Sequence, residues 1–191
     1  MEQKILINIG RQFGSGGRRI AAVLGERLGI PVYDDELLRL AAEQSGFSPA
    51  VFRKHDERRR LFSVGNHSLD GADLFRIQSE TIRNIARQGS AVFVGRASDY
   101  VLRDMDCLDV FICAPLPERI ARVRERLGLS DDAAEKLIAK KDRTRAEYYN
   151  FFTLGDWGAA SGYDLCLDSS LLGIEGSAEF IIAFGKRAGK L

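Results

Sequence analysis

The feature that most constrains this chain is a short apolar stretch that leads through a glycine-rich loop into an amphipathic helix. Residues 5–9 form a nearly continuous apolar run, which predicts a central strand buried on both faces. Glycines follow at positions 10, 14, 16 and 17, and apolar residues then recur at helical spacing until Gly29. Bare backbone N–H groups and the positive end of the helix dipole converge in such a loop, so it predicts phosphate binding. The alternative is a glycine-rich turn that only packs the helix on the strand.

The loop departs from the phosphate-binding pattern G-x-x-x-x-G-K-[ST] at the lysine. Aligning the letters GSGG on the usual GSGK places Gly17 at the lysine and Arg18 at the magnesium-binding hydroxyl, whereas aligning Arg18 on the lysine makes the loop two residues too long. Because guanidinium is a good bidentate partner for phosphate oxygens, Arg18 or Arg19 is predicted to supply the missing charge. Ser15 has the only hydroxyl in the loop and is the candidate metal ligand. The candidate donor-binding residues are Gly14, Ser15, Gly16, Gly17, Arg18 and Arg19.

Strands and helices alternate along most of the remaining sequence. This alternation predicts an α/β fold, a three-layer sandwich in which a parallel sheet has helices on both faces. The helix at 115–128 is predicted to turn Ile120, Val123 and Leu127 inward and its four arginines mostly outward. The aromatic run at 148–157 is predicted to pack against neighbouring elements. The predicted strands are 91–95, 107–114 and 163–170, and the predicted helices are 74–89, 115–128, 133–152 and 177–189.

Polar residues follow the predicted strands where a parallel sheet binds its ligands, at the carboxyl ends. Asp34 and Asp35 come after a very short strand, and Asp34 is predicted to contact a substrate hydroxyl, to hold a magnesium-bound water or to cap the next helix. Arg96 directly follows a buried strand and Gly95, so it is predicted to face the ligand crevice.

Composition excludes several classes of function. With 28 Lys plus Arg against 27 Asp plus Glu, the net charge is +1, so no overall charge favours nucleic acid or a membrane surface. Cys107, Cys113 and Cys166 lie in or beside apolar runs and are predicted to be core thiols, and two histidines are too few for a zinc site of ordinary type. With no signal peptide and no apolar run near the roughly 20 residues of a membrane span, the protein is expected to be cytoplasmic.

Five blocks of sequence together resemble the cytidylate kinase-like family, a branch of the P-loop nucleoside monophosphate kinases. The resemblance implies one P-loop kinase-like domain over 1–191, with a helical acceptor-side excursion at about 47–75 and an arginine-bearing lid at about 130–155. It implies ATP as donor, Mg²⁺ as cofactor and small-molecule nucleotides as substrates, in a monomer or homodimer without nucleic-acid or membrane partners. The blocks are GRQFGSGGRRIA, GIPVYDDELL, VFVGRASDYVL, DRTRAEYYNFFT and DWGAASGYDLCLDSS.

The same resemblance implies roles for individual residues. Arg143 and Arg145, with Asp142, resemble the arginine pattern of the lid, although the two arginines are two residues apart and an exposed charged face is the alternative. Asp99 stands three residues after Arg96, where the family has the aspartate next to the arginine. The implied catalytic residues are Arg18, Arg143 and Arg145, and the implied acceptor-binding residues are Asp34, Asp35, Arg96 and Asp99.

The favoured function is an ATP-dependent transfer of a phosphoryl group to a small acceptor, foremost a nucleoside monophosphate such as CMP. Two alternatives stay open. One is a nucleotide-binding or sensing module that has lost efficient transfer with the lysine, and the other is a kinase for a different small molecule.

Overall fold

A computed structural model of the chain describes residues 4–34, 40, 43 and 71–191. Asp35 and residues 47–70 of the predicted excursion lie outside the described residues. Among the helices of the described part, none is both long and apolar enough to cross a membrane.

A five-stranded sheet with the strand order β2-β3-β1-β4-β5 forms the centre of the protein. All four pairings are parallel, as the alternation of strands and helices predicts. β1 lies in the middle, so its apolar residues are covered on both faces, and the loop that follows it opens at the carboxyl edge of the sheet. The strands are β1 (Leu6–Arg11), β2 (Val32–Tyr33), β3 (Ala91–Val94), β4 (Leu108–Cys113) and β5 (Leu165–Asp168).

Helices cover both faces of this sheet, which confirms the predicted three-layer α/β fold. On one face, Ile7 and Ile9 pack against Ile20 and Leu24 of the first helix and Ile181 of the last. The helices are α1 (Gly17–Leu28), α2 (Gly71–Gln88), α3 (Ser98–Val101), α4 (Leu116–Leu127), α5 (Asp131–Thr153) and α6 (Ser169–Arg187), with a 3-10 turn at Ala160–Gly162.

The second face is covered by α2 and α3. Leu6 and Phe93 of the sheet pack there against Ile82 of α2 and Val101 of α3. A third, smaller cluster joins α4 to α5 through Val123 and Ile138 and extends to the loop after β1. The loop is therefore fixed by a helix pair that lies beside the sheet.

Most of the aromatic run at the end of α5 packs against the body of the protein, as predicted, whereas Phe151 is 55 % exposed. Phe152 stacks on Phe75 of α2 with ring centroids 4.3 Å apart, and Trp157 meets Phe111 of β4 edge to face at 5.4 Å. Tyr148 adds a hydrogen bond, since its hydroxyl donates to Oε1 of Gln78 at 3.1 Å. The contacts of Tyr148 and Phe152 tie the C-terminal half of α5 to α2, and that of Trp157 holds the segment after α5 against β4.

The prediction of three core thiols is wrong for one of the cysteines. Cys107 is buried, and burial raises the pKa of its thiol to about 12, so it is an inert core group. Cys113 is half-buried, but Cys166 is exposed. The reason is topological: β5 is at the edge of the sheet, and its residues are not covered on both faces.

Candidate active site

Glycine is required at two points of the loop between β1 and α1. Gly14 and Gly16 have φ angles of 83° and 85°, in the left-handed region that side-chain-bearing residues avoid. Neighbouring side chains also leave no room, because a Cβ on Gly16 would lie 2.6 Å from Cδ1 of Ile174, and one on Gly14 would lie 3.0 Å from Cγ2 of Val123. The loop backbone is thus closely packed from the side of α4 and α6.

The loop amides divide into those with partners and those without. The N–H of Gln12 donates to the carbonyl of Ile112 at 3.0 Å, and the N–H of Ser15 donates back to the carbonyl of Gln12 at 3.3 Å. The amides of the three glycines have no acceptor among the residues that the structure describes. They stand at the N-terminal end of α1, where the helix dipole favours an anion. These glycines are Gly14, Gly16 and Gly17.

The hydroxyl of Ser15 is turned into the protein. Ser15 is fully buried, and its Oγ donates to the carbonyl of Gln12 at 2.9 Å. Its own carbonyl accepts from Nη1 of Arg122 at 3.0 Å and from Oγ of Ser169 at 2.5 Å. Ser15 therefore anchors the loop to α4 and α6, and its role as a metal ligand stays a prediction.

The prediction that the arginines of α4 face mostly outward is wrong for two of the four. Arg119 is 9 % exposed and forms an ion pair with Oδ2 of Asp142 at 2.5 Å, and Arg122 contacts the loop carbonyl described above. Both lie on the helix face that also carries Val123, and an arginine can bury its aliphatic stem there while its guanidinium reaches a polar partner. Leu127, predicted to face inward, is 46 % exposed because α4 ends there.

Asp34 gathers two arginines at the mouth of the loop. Its Oδ2 lies 2.7 Å from Nε of Arg18, and its Oδ1 lies 3.4 Å from Nη2 of Arg11. The Asp34 side chain is only 14 % exposed, whereas that of Arg18 is 66 % exposed. Arg19 is exposed as well. The structure therefore brings Arg18 and Asp34 together and places Arg11, which sequence reasoning did not single out, beside them.

Of the two arginines predicted on α5, the structure brings Arg145 to the loop. Its Nη1 donates to the carbonyl of Arg11 at 3.1 Å, and its guanidinium lies 5.5 Å from the centre of the Phe13 ring. Arg143 is exposed. Two residues along a helix correspond to a rotation of about 200°, so the two side chains leave α5 on opposite faces.

The charge around Arg145 is mixed. Burial lowers the pKa of its guanidinium, and Arg96 and Arg126 lower it further. Asp142 and Asp34 oppose them and raise this pKa. The structure thus gathers three of the predicted residues, Asp34, Arg96 and Arg145, into one electrostatic environment beside the loop.

The turn after β3 has an unusual backbone and carries an aspartate that is bonded to α5. Arg96 and Ala97 have φ angles of 62° and 52°, which are uncommon for residues with side chains. Asp99 accepts a hydrogen bond from the Tyr149 hydroxyl at 2.7 Å. Burial raises the pKa of the Asp99 carboxyl, although this hydrogen bond opposes the shift, and burial also raises the pKa of Tyr149.

The described residues do not form a magnesium site by themselves. No group of three or more His, Cys, Asp or Glu side chains suited to a metal occurs in the described ranges. Near the loop, the two carboxylate oxygens of Asp34 pair with arginines, and the Ser15 hydroxyl is committed to a carbonyl. Phosphate oxygens and water are also ligands that suit a magnesium ion.

Comparison with known proteins finds relatives of this chain in sequence and in structure. A "Cytidylate kinase" of Pyrococcus horikoshii is 28 % identical over 177 residues, which cover 92 % of this chain and 85 % of that protein. An uncharacterized protein from Eubacterium ventriosum has a similar crystal structure, with a TM-score of 0.77 and 29 % identity over 95 % of this chain and 98 % of that one. Shikimate kinase from Bacteroides thetaiotaomicron shares the fold, with a TM-score of 0.58 at 15 % identity over 98 % of this chain and 99 % of that one.

Most of the sequence also matches a family as a whole. A sequence profile described as the cytidylate kinase-like family matches residues 6–171, from the first residue of β1 to the first turn of α6. This range includes the glycine-rich loop, the turn after β3 and all of α5. The chain therefore belongs to the cytidylate kinase-like family.

Proposed function

We propose that this protein transfers the terminal phosphoryl group of ATP to a small acceptor, with a nucleoside monophosphate such as CMP as the first candidate. The observation that carries the proposal is the set of glycine amides at the N-terminus of α1, with the guanidinium groups of Arg18 on α1 and Arg145 on α5 nearby. Phosphoryl transfer asks a protein mainly for positioning and for positive charge around the equatorial oxygens. This site has both.

On the donor side, the amides of the loop hold the phosphates and Arg18 neutralises part of their charge. Arg145 approaches the loop from α5 and is the residue we assign to the transferring group. Arg143 remains a candidate for the same task, although it is exposed and on the opposite face of α5. Arg19 is a candidate for contacts with the outer part of the donor.

On the acceptor side, the candidates are the aspartates and the arginine at the ends of β2 and β3. Arg96 lies two residues after the end of β3, and its charge lowers the pKa of Arg145, so an acceptor phosphate bound to Arg96 would be close to the transferring group. Asp34 and Asp99 carry carboxylates that accept hydrogen bonds from acceptor hydroxyl or amino groups. Asp35 is proposed for the same side on the resemblance alone. CMP is the first choice because relatives such as that of Pyrococcus horikoshii bear the name cytidylate kinase.

A second candidate function is a module that binds a nucleotide and does not transfer its phosphate. One observation favours it: the Phe13 amide of the loop is already bonded to the Asp142 carboxylate, so an anion at this position has a competitor within the protein. The missing lysine points in the same direction.

The test is the consumption of ATP across a panel of nucleoside monophosphates, measured by a coupled assay with magnesium present. We expect turnover with at least one acceptor, clearly above the hydrolysis of ATP alone. Binding of ATP without turnover on any acceptor would support the non-catalytic module instead. Arg18→Ala is expected to weaken ATP binding by about tenfold, since a hydrogen bond between charged groups contributes about 1.5 kcal/mol or more.

A further inference from the structure

We propose that Arg11, the last residue of β1, supplies the positive charge that a lysine at position 17 supplies in loops with the usual pattern. This inference rests on the proposed function, because it assigns one more side chain to the donor phosphates. Sequence reasoning gave the task to Arg18 or Arg19, and both of these are exposed. Arg11 is different, since its side chain is 18 % exposed and lies inside the crevice.

Arg11 occupies the space that a side chain at position 17 would need. A Cβ added to Gly17 would lie 2.7 Å from Cβ and 3.1 Å from Cγ of Arg11. Contacts below 3 Å between such atoms are not tolerated without movement, and these atoms belong to the stem of Arg11 near the backbone. A lysine at position 17 and an arginine at position 11 therefore exclude each other in this loop.

The guanidinium of Arg11 also has room only because the residue beside it is a glycine. A Cβ on Gly95, directly after β3, would overlap Nη1 of Arg11, so the guanidinium lies against the bare backbone at that point. Gly95 and Arg11 are at the carboxyl ends of the neighbouring strands β3 and β1, where a parallel sheet binds its ligands. The Arg11 side chain therefore crosses the mouth of the crevice with Gly17 beside its stem and Gly95 beside its guanidinium.

The charges next to Arg11 fit an anion site. Arg18 takes the tighter position on Asp34, at 2.7 Å against 3.4 Å for Arg11, so one carboxylate faces two guanidinium groups. Arg145 adds a third cation through its bond to the Arg11 carbonyl. A phosphate that enters this group gains a charge-assisted partner in Arg11.

The first experiment measures the affinity for tripolyphosphate and for ATP by isothermal titration calorimetry. We expect Arg11→Gln to weaken both by about 10- to 100-fold, the range that corresponds to a lost hydrogen bond between charged groups. Arg27→Gln is the matched control, because Arg27 pairs with Glu175 and Glu179 at the far end of α1 and is expected to keep the affinity of the unchanged protein. An Arg11→Gln affinity within twofold of the unchanged protein would overturn the inference.

The mutual exclusion of the two side chains gives a second, reciprocal test. Gly17→Lys alone is expected to weaken tripolyphosphate binding, because its Cβ meets that of Arg11. The double variant Arg11→Gly with Gly17→Lys restores the usual arrangement, and we expect it to bind at least tenfold better than Arg11→Gly alone. Circular dichroism melting curves check that each variant folds. If all variants fold and the double variant binds tripolyphosphate no better than Arg11→Gly alone, the idea that Arg11 replaces a lysine at position 17 is contradicted.

Arg11 could also act only by holding Asp34, and a double-variant cycle separates the two roles. If Arg11 contacts the phosphates, Arg11→Gln weakens binding in an Asp34→Asn background as well. If the loss disappears in that background, Arg11 is a positioning residue and the proposal is wrong.

Binding and transfer measurements together distinguish a failure of the kinase assignment from a failure of the role given to Arg11. Binding of tripolyphosphate that depends on Arg11, without phosphoryl transfer to any acceptor, removes the kinase assignment and leaves the role of Arg11 intact. Transfer that is unchanged in Arg11→Gln removes the role of Arg11 and leaves the kinase assignment intact. If the unchanged protein binds neither ATP nor tripolyphosphate, both are overturned.

Discussion

The carboxylate of Asp142, in the middle of α5, accepts a hydrogen bond from the backbone N–H of Phe13 at 2.6 Å. The other oxygen of the same carboxylate is paired with the buried guanidinium of Arg119 on α4. One side chain therefore connects the glycine-rich loop to both helices that flank it. If α5 moves away from the loop, either these two bonds of Asp142 break or the loop and α4 move together with α5.

Replacement of Asp142 is expected to destabilise the protein. Asp142→Ala leaves the Arg119 charge buried without its partner, and we expect a loss of about 3 kcal/mol in the free energy of unfolding, as for other buried pairs that lose one member. Urea denaturation measures this loss. Asp132→Asn is the control, because Asp132 pairs with Lys136 at an exposed surface and should change stability by less than about 1 kcal/mol. Equal effects of the two variants would show that the Asp142 bonds carry little energy.

A comparison of two glycines separates backbone strain from crowding at the loop. Gly16 and Gly29 flank α1 and both have positive φ, but a Cβ at Gly29 meets nothing within 4 Å, whereas one at Gly16 meets Ile174 at 2.6 Å. We expect Gly29→Ala to cost about 1 kcal/mol from strain alone. Gly16→Ala should cost about 1–3 kcal/mol more because of overpacking, and should also weaken nucleotide binding. Urea denaturation of both variants measures the difference, and similar losses would contradict the crowding at Gly16.

The fold follows from local patterns in the sequence, and the arrangement of the site does not. Apolar runs such as Val92–Val94 and glycine stops such as Gly29 are local signals of strand and helix ends, so the order of elements was predictable. Arg119 shows the limit: it lies in a run of arginines on α4 where a solvated face is the ordinary interpretation. Its burial is decided by α5, a separate helix whose Asp142 compensates the charge.

Arg11 and Arg145 show the same limit within the site. The glycine-rich loop could be recognised from its spacing, but the partner of each loop residue depends on tertiary packing. The letters of DRTR do not distinguish Arg143 from Arg145, because only the rotation of α5 relative to β1 decides which one meets the loop. Arg11 carried no signal beyond its position at a strand end.

The orientation of α5, which turns Arg145 and not Arg143 to the loop, leads to a prediction for phosphoryl transfer. Arg145→Gln is expected to lower kcat by about 100- to 1,000-fold, as for the loss of one group that stabilises charge in the transition state, with a smaller effect on ATP affinity. Arg143→Gln is expected to lower kcat by less than tenfold, since its side chain is exposed on the other face of α5. Lys140→Gln, an exposed change on the same helix, is the control for the coupled assay. A larger loss in Arg143→Gln than in Arg145→Gln would reverse the assignment.

The Asp99–Tyr149 pair predicts how stability depends on pH. Burial raises the pKa of Asp99 above its unfolded value near 3.8, so the folded protein binds a proton more tightly than the unfolded chain does. The contribution of this group to stability is therefore fully present below pH 3.8 and is lost as the pH rises through the higher, folded pKa. Asp99→Asn cannot ionise and still accepts a hydrogen bond from Tyr149, so it should lack this loss.

The measurement is the free energy of unfolding in urea for the unchanged protein and for Asp99→Asn, from pH 3.5 to pH 7. We expect the stability of Asp99→Asn relative to the unchanged protein to increase as the pH rises, because only the unchanged protein has to bury a carboxylate. Asp104→Asn, a change of the same type in the turn after α3, controls for the general effect of removing one negative charge. If the difference between Asp99→Asn and the unchanged protein decreased with pH, the hydrogen bond from Tyr149 would outweigh burial, and Asp99 would be held as a carboxylate ready to accept a second donor.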